Sequence, residues 1–306
     1  MSSCIPAFAK KGDLLVLDAA CNEPMLTGAN LSRSTVLYFQ HNDMADLERV
    51  LQSVADEDRR LRRDSTQQRR FIVVEGLYRN TGNIVPLPEL LAIKEKYCYR
   101  VMMDESLSFG TLGNTGRGVT EHFGMSIKAI EIITVAMDTA LASVGGLCVG
   151  TRAIVDHQRL SGAGYCFSAS APPFLSSVAV QALAELEGNP KLIEALHENV
   201  ELLWAGLRTI PGIIVTTSAA SPVIHFSLDL DKVRLDVAEE DAVQRLSDRL
   251  IEAGVGIVSS KFGLVNEHAK RAKLRPGLRV SASAGLSREE ITRALAAVRT
   301  AVEPLL

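Results

Sequence analysis

Residues 71–104 read FIVVEGLYRNTGNIVPLPELLAIKEKYCYRVMMD, and this stretch decides the fold class. A β-branched run at 71–75 leads to a segment of helical period at 87–97, and a second apolar run follows at 100–104. Pro86 and Pro88 stand near the first helical turn, where the N–H that proline lacks has no intrahelical partner. Strand, crossover helix and strand make a βαβ unit, which sets two parallel strands in one sheet. Apolar runs at 13–17 and 36–39 precede this unit and runs at 132–136 and 147–150 follow it, with another helical pattern at 45–54. The expectation is an α/β domain with a mostly parallel sheet.

After Pro172-Pro173 the pattern changes. Amphipathic helices at 174–187 and 191–207 are followed by strands at 213–216 and 223–228, a helix at 240–253, a strand at 278–282 and a helix from Arg288. These predict a large domain over 1–173 and a smaller α+β lobe over 174–306. The segment DEDRRLRRDSTQQRR, 56–70, holds a single aliphatic residue, Leu61, and predicts a solvated loop. Its six arginines are diluted by four acids and lack interleaved aromatics, which argues against a nucleic-acid patch.

The whole chain has 306 residues, 47% hydrophobic and 23% charged, and folds by composition alone. A net charge of −3 recruits neither nucleic acid nor an anionic membrane. Five widely spaced cysteines without a C-x-x-C pair predict reduced thiols rather than a disulfide framework, and no metal site. No run of eighteen uncharged apolar residues occurs, so neither a membrane span nor a signal peptide is expected within these residues.

Ligands of open α/β sheets sit at the carboxyl ends of parallel strands, so Asp104 and its neighbour Glu105 are site candidates; the alternative is an acid that caps the next turn. Gly110, Gly113, Gly116 and Gly118 suggest a phosphate cradle, but their spacing matches neither G-x-G-x-x-G nor a P-loop, and backbone geometry is the plainer reason for them. Thr120 or the residue before it is expected to cap a short helix through His122, and Met102, Met103 and Met137 are expected to fill core.

The segments HNDMADLERVL (41–51), RRFIVVEGLYRNTGNIVPLPEL (69–90), DESLSFGTLGNTGRGVTEHFG (104–124), ALASVGGLCVG (140–150) and IVDHQRLSGAGYCFSASAPP (154–173) carry a resemblance. Together they resemble the α-oxoamine synthase family of fold-type I pyridoxal phosphate enzymes. Within it they are most similar to the non-catalytic long-chain-base type of subunit in the eukaryotic serine palmitoyltransferases. The resemblance implies the fold-type I pyridoxal phosphate transferase fold, with the first region of the large domain missing from this chain. Such a gap predicts exposed apolar surface and poor solubility in isolation.

Active members of that family place the cofactor's Schiff-base lysine six residues before the Gly-Gly pair. Here that position is Thr139, and no lysine lies between Lys128 and Lys191. Without an amine no internal aldimine forms. Where active members carry Asp-Glu-Ala-His or Asp-Asp-Ala-His, this chain has Asp104-Glu105-Ser106-Leu107, so the aspartate that meets the pyridine nitrogen is kept as a vestige and the histidine is lost. Cys21-Asn22-Glu23-Pro24 replaces Asn-His-Ala-Ser, and Glu75-Gly76 replaces Glu-Ser. The resemblance implies no catalytic residue in this chain.

It further implies that Ser168 and Ser170 reach across a dimer interface to the phosphate of a partner's pyridoxal 5'-phosphate, and that Arg279 matches an arginine able to grip a substrate carboxylate. Arg159 is as apt to join an interface ion pair. The implied partner is the catalytic long-chain-base subunit, which holds the cofactor. The implied reaction condenses L-serine with palmitoyl-CoA to 3-ketodihydrosphingosine, carbon dioxide and CoA, the first step of sphingolipid biosynthesis, at the cytosolic face of the endoplasmic reticulum. Membrane attachment would come through the missing segment or the partner. The alternatives are a regulatory scaffold fragment, and an autonomous synthase using a lysine from elsewhere such as Lys261.

Overall fold

The computed structural model describes residues 1–260 and 274–306, which form two compact units. The first comprises Met1–Tyr78 and Ile84–Gly188, and the second comprises Arg79–Asn83 and Asn189–Leu306. The boundary expected after residue 173 therefore falls after Gly188, and the helix Pro173–Gly188 belongs to the first unit. Its Ala179 packs with Met137 and Leu141, and its Leu175 carbonyl accepts the Ser143 hydroxyl at 2.8 Å.

In the first unit β1 (Leu14–Asp18), β2 (Thr35–Phe39), β3 (Arg70–Glu75), β4 (Arg100–Asp104), β5 (Ile132–Ala136) and β6 (Gly146–Gly150) form one sheet in the order β2-β1-β3-β4-β5-β6. All neighbouring pairs are parallel except β5 with β6, which is antiparallel. β1 and β4 read as continuous apolar runs because side chains on both of their faces are buried, Met102 and Met103 among them. Completely buried Leu15, Ile72 and Val101 each contribute roughly 2 kcal/mol of transfer free energy.

The helices of this unit are α1 (Ile5–Phe8), α2 (Glu23–Ser32), α3 (Met44–Leu61), α4 (Leu87–Tyr97), α5 (Val119–His122), α6 (Arg152–Ser161), α7 (Ala163–Cys166) and α8 (Pro173–Gly188). α2 was not foreseen. Asn22 caps it by accepting the Met25 N–H at 3.2 Å, and Pro24 lies in its first turn. The expected loop at 56–70 is corrected: α3 runs on to Leu61 before closing at Arg62 in the left-handed region. Charge did not unfold the segment because it is paired. Arg59 meets Asp56 and Arg60 meets Glu57 at i,i+3, and buried Asp58 holds Arg70 at 2.5 Å. The short helix expected around residue 120 is α5, but Gly118 precedes it and Thr120 lies within it, so no side chain caps it.

β6 ends the sheet, and Leu147 and Val149 on it are exposed. Val144, Phe167, Phe174 and Val180 are exposed as well, the last two on α8.

The second unit is an antiparallel sheet of β7 (Ile213–Val215), β8 (Val223–Leu228), β9 (Val258–Ser260) and β10 (Gly277–Ser281) in the order β7-β8-β10-β9. Helices α9 (Lys191–Arg208), α10 (Glu239–Glu252) and α11 (Arg288–Val302) complete its core, in which Leu207, Ile224, Phe226, Leu246, Leu250, Leu278 and Val302 are buried together. α11 begins with a capping box, Ser287 with Glu290. β9 was not anticipated, being three residues long with two serines.

Candidate functional site

The chain runs from β1 outward to β2 and then returns to place β3 on the other side of β1, so the connection reverses direction between β1 and β3. In open α/β sheets the ligand crevice lies at the carboxyl ends flanking such a reversal. Three of those ends carry carboxylates here: Asp18 closes β1, Glu75 closes β3 and Asp104 closes β4. All three are buried, and Glu75 and Asp104 are direct neighbours in the β3–β4 register.

Each carboxylate is met by groups of this same unit. Asp18 accepts the N–H of Ala20 at 2.7 Å and of Asn42 at 2.8 Å, and its Oδ1 lies 3.0 Å from His41 Nδ1. His41 stands edge-on to the fully buried Tyr78 ring at 4.6 Å between centroids. Glu75 accepts the Asn22 N–H at 2.8 Å. Asp104 accepts the Ser106 N–H at 2.9 Å, the Ser106 hydroxyl, and Asn22 Nδ2 at 3.4 Å. Asn22 thereby bonds Glu75 through its backbone, Asp104 through its amide nitrogen, and the start of α2 through its amide oxygen. Burial, and then the nearby Asp18, pushes both the Cys21 thiol and the Tyr78 phenol well above their ordinary ranges, so neither ionises near neutrality.

Thr139, which the resemblance sets at the family's lysine position, donates its hydroxyl to the Ser106 carbonyl at 2.7 Å. Gly76, where active members carry serine, is closed off: a Cβ added there would stand 2.6 Å from Ser108 Oγ. That hydroxyl donates to Glu105 at 2.5 Å, and Glu105 also accepts the Val119 N–H at 3.1 Å. Burial raises the Glu105 carboxyl above its usual range. Leu107, which the resemblance sets at the place of the family histidine, is half-buried in the turn after β4.

The fold implies pyridoxal phosphate, but these residues do not fit it. No amine replaces Thr139, Asp104 is occupied by Ser106 and Asn22, and the Gly76 position has no room for a side chain. The glycine-dense loop offers no cradle either. Gly110, Gly113, Gly116 and Gly118 all have positive φ, and the Glu121 carboxylate takes the N–H groups of Thr115 and Arg117 at 3.1 and 2.9 Å, where an anion would bind.

Ser168 and Ser170 lie in an exposed segment between α7 and α8. Ser168 donates its hydroxyl to the Gly164 carbonyl. Arg279 belongs to the second unit, on β10 opposite His225 of β8. There burial, and then the charge of Arg79, lowers its guanidinium pKa, while burial lowers His225 to about 4, the Arg279 charge adding to the fall and the Arg79 carbonyl opposing it. Lys261 lies outside the described residues. Among the described residues no cluster of His, Cys, Asp and Glu suits a metal ion, and no helix is long and apolar enough to cross a membrane.

Sequence reading picked out Asp104, Glu105 and Thr139 but missed Asn22, Asp18 and His41 as a network. The Asn22-Glu23-Pro24 run carries a helix-start signature that pointed to Asn22; nothing local pairs Asp18 with His41.

A sheet of this order, with its polar groups gathered at the carboxyl ends, defines the class. The profile of the aminotransferase class I and II family matches residues 1–298, and the chain belongs to that family. It is 40% identical over 309 residues to long chain base biosynthesis protein 1 of Arabidopsis thaliana, covering 100% of this chain and 62% of that protein. It is 39% identical over 305 residues to serine palmitoyltransferase 1 of Dictyostelium discoideum, covering 98% of this chain and 62% of that protein. The chain thus spans less than two thirds of these relatives' length. Among solved structures it is similar to the Sphingomonas wittichii serine palmitoyltransferase, with a TM-score of 0.83 and 26% identity over 99% of this chain and 69% of that one.

Proposed function

We propose that this chain is the subunit of a serine palmitoyltransferase that lacks the cofactor lysine and works by lending surface to a catalytic partner. The observation that carries the reading is Thr139, a hydroxyl bonded back to its own chain where an amine would be required. The similarity to the Arabidopsis and Dictyostelium proteins supports the assignment. The partner, the catalytic long-chain-base subunit, binds pyridoxal 5'-phosphate, and the heterodimer condenses L-serine with palmitoyl-CoA to 3-ketodihydrosphingosine, carbon dioxide and CoA. The complex resides at the cytosolic face of the endoplasmic reticulum membrane.

Within it the large domain supplies the contact surface and the C-terminal lobe completes the subunit. The exposed Ser168 and Ser170 offer hydroxyls to the phosphate in the partner's site. Arg279 is retained from a substrate-carboxylate clamp, and Asp104 has passed from cofactor partner to turn anchor. The test is to purify the chain alone and with the catalytic subunit, add pyridoxal phosphate, and treat each with borohydride. The expected result is a trapped adduct on the partner and synthase activity in the pair only. A reduced adduct on this chain alone overturns the assignment, and pairing without activity makes the chain a scaffold.

A further inference from the structure

Cys4, at the start of α1, and Cys148, at the centre of β6, are 144 residues apart in sequence, and their sulfurs lie 3.9 Å from each other. Cys4 is buried and Cys148 is half-buried, so a small oxidant reaches the second thiol and not the first. The residues around Cys4 are seated firmly. Ser3 Oγ accepts the Gly164 N–H at 2.8 Å, the Ala7 carbonyl lies 2.7 Å from His157 Nε2, and the Phe8 ring packs on the His157 ring at 5.0 Å. The Cys4 N–H is itself bonded to the Met1 carbonyl at 3.0 Å. Neither thiol takes part in the site described above.

We propose that Cys4 and Cys148 form a reversible intrachain disulfide on exposure to hydroperoxides, a redox-sensitive cross-link between the N-terminal segment and strand β6. A disulfide needs a sulfur separation of about 2.05 Å, so the two sulfurs, now 3.9 Å apart, must close by roughly 2 Å. The roles of the two sulfurs differ. The contact between the two sulfurs lowers the Cys148 pKa, while that contact and burial raise the Cys4 pKa. The Cys148 thiolate attacks one oxygen of hydrogen peroxide, the O–O bond breaks, and a sulfenic acid and hydroxide result. The Cys4 sulfur then attacks the sulfenic sulfur, the S–O bond breaks, and the second oxygen leaves as hydroxide while the Cys4 thiol gives up its proton. Two thiols are oxidised, one peroxide is reduced, and two waters are released. A thiol reductant reverses the bond by exchange. The cross-link fastens Ser3, and through its bond to Gly164 the base of the segment that bears Ser168.

The test uses the full chain carrying Cys98→Ser and Cys166→Ser, which removes the two exposed thiols and leaves three. After treatment with hydrogen peroxide the protein is denatured and alkylated, and intact mass is read. The expected result is a fall in alkylated thiols from three to one in monomeric protein, a peptide joining Cys4 to Cys148, and full recovery with dithiothreitol. Adding Cys148→Ser abolishes the change, and adding Cys4→Ser instead leaves a sulfenic acid on Cys148 that dimedone traps. Three thiols still alkylated, a disulfide formed only between two chains, or a sulfinic acid on Cys148 without the cross-link each overturns the proposal.

Discussion

Replacing Asp104 with alanine separates the two roles this carboxylate could have. If it anchors the turn after β4, its removal strands the Ser106 N–H and the Asn22 amide nitrogen, both of which it accepts in the structure. The Ser106 hydroxyl keeps a partner, since it accepts the Ala136 N–H at 2.8 Å. A stranded buried donor costs roughly 1–3 kcal/mol, and with Asn22 buried and Ser106 half-buried the two together cost about 3 kcal/mol. With a urea slope of about 3 kcal/mol per molar for a chain of this size, the unfolding midpoint falls by about 1 M. The assay is urea unfolding of the isolated chain, followed by circular dichroism with and without pyridoxal phosphate. The expected midpoint shift is the same in both. A shift smaller than about 0.3 M, or one that appears only when the cofactor is present, refutes the reasoning, because Asp104 would then be serving a bound ring and not its own turn.

Three further outcomes are expected. His225 is held at about 4, below its ordinary value near 6.5, so the folded chain binds fewer protons than the unfolded chain between those values; stability is full above about 6.5 and is lost as the pH falls toward 4, by up to about 3 kcal/mol, and His225→Phe flattens that slope in unfolding measured at pH 4 to 7. Gly76→Ser, which restores the residue of active family members, forces a Cβ against Ser108 Oγ and destabilises the chain by roughly 1–3 kcal/mol, read as a lowered Tm without gain of cofactor absorbance. The double change Ser168→Ala with Ser170→Ala leaves the Tm of the isolated chain within about 1 °C, since both residues are exposed, and weakens pyridoxal phosphate retention by the co-purified complex in equilibrium dialysis.

The parallel sheet was legible because its strands are buried on both faces, and a run such as LLVLD or FIVVE has no competing helical period. α3 was cut short for the opposite reason. Its last turns bury little apolar surface and are held by Asp56, Glu57 and Asp58 acting on arginines, a pattern of pairing that composition reads as solvation. α2 carries Gly28, Thr27 and Asn30 among its apolar residues and shows no clean stripe, so only its cap betrayed it. At the site, Asp104 was legible as the carboxylate that closes an apolar strand, and Thr139 was singled out only through the family resemblance. The bond from Asn22 to Asp104 spans 82 residues, and the Asp18–His41 pair joins the ends of β1 and β2. Such contacts exist only once the sheet has brought the strand ends together, and no local spacing encodes them.

Strand β6 ends its sheet with Leu147 and Val149 turned to solvent. A bare strand edge of this kind is a template for unwanted pairing, and its hazard grows with the concentration of copies that have found no mate. Copies in which that edge is left uncovered are the ones chaperones and proteases would remove, so the yield of the polypeptide in a cell would follow how completely β6 is covered.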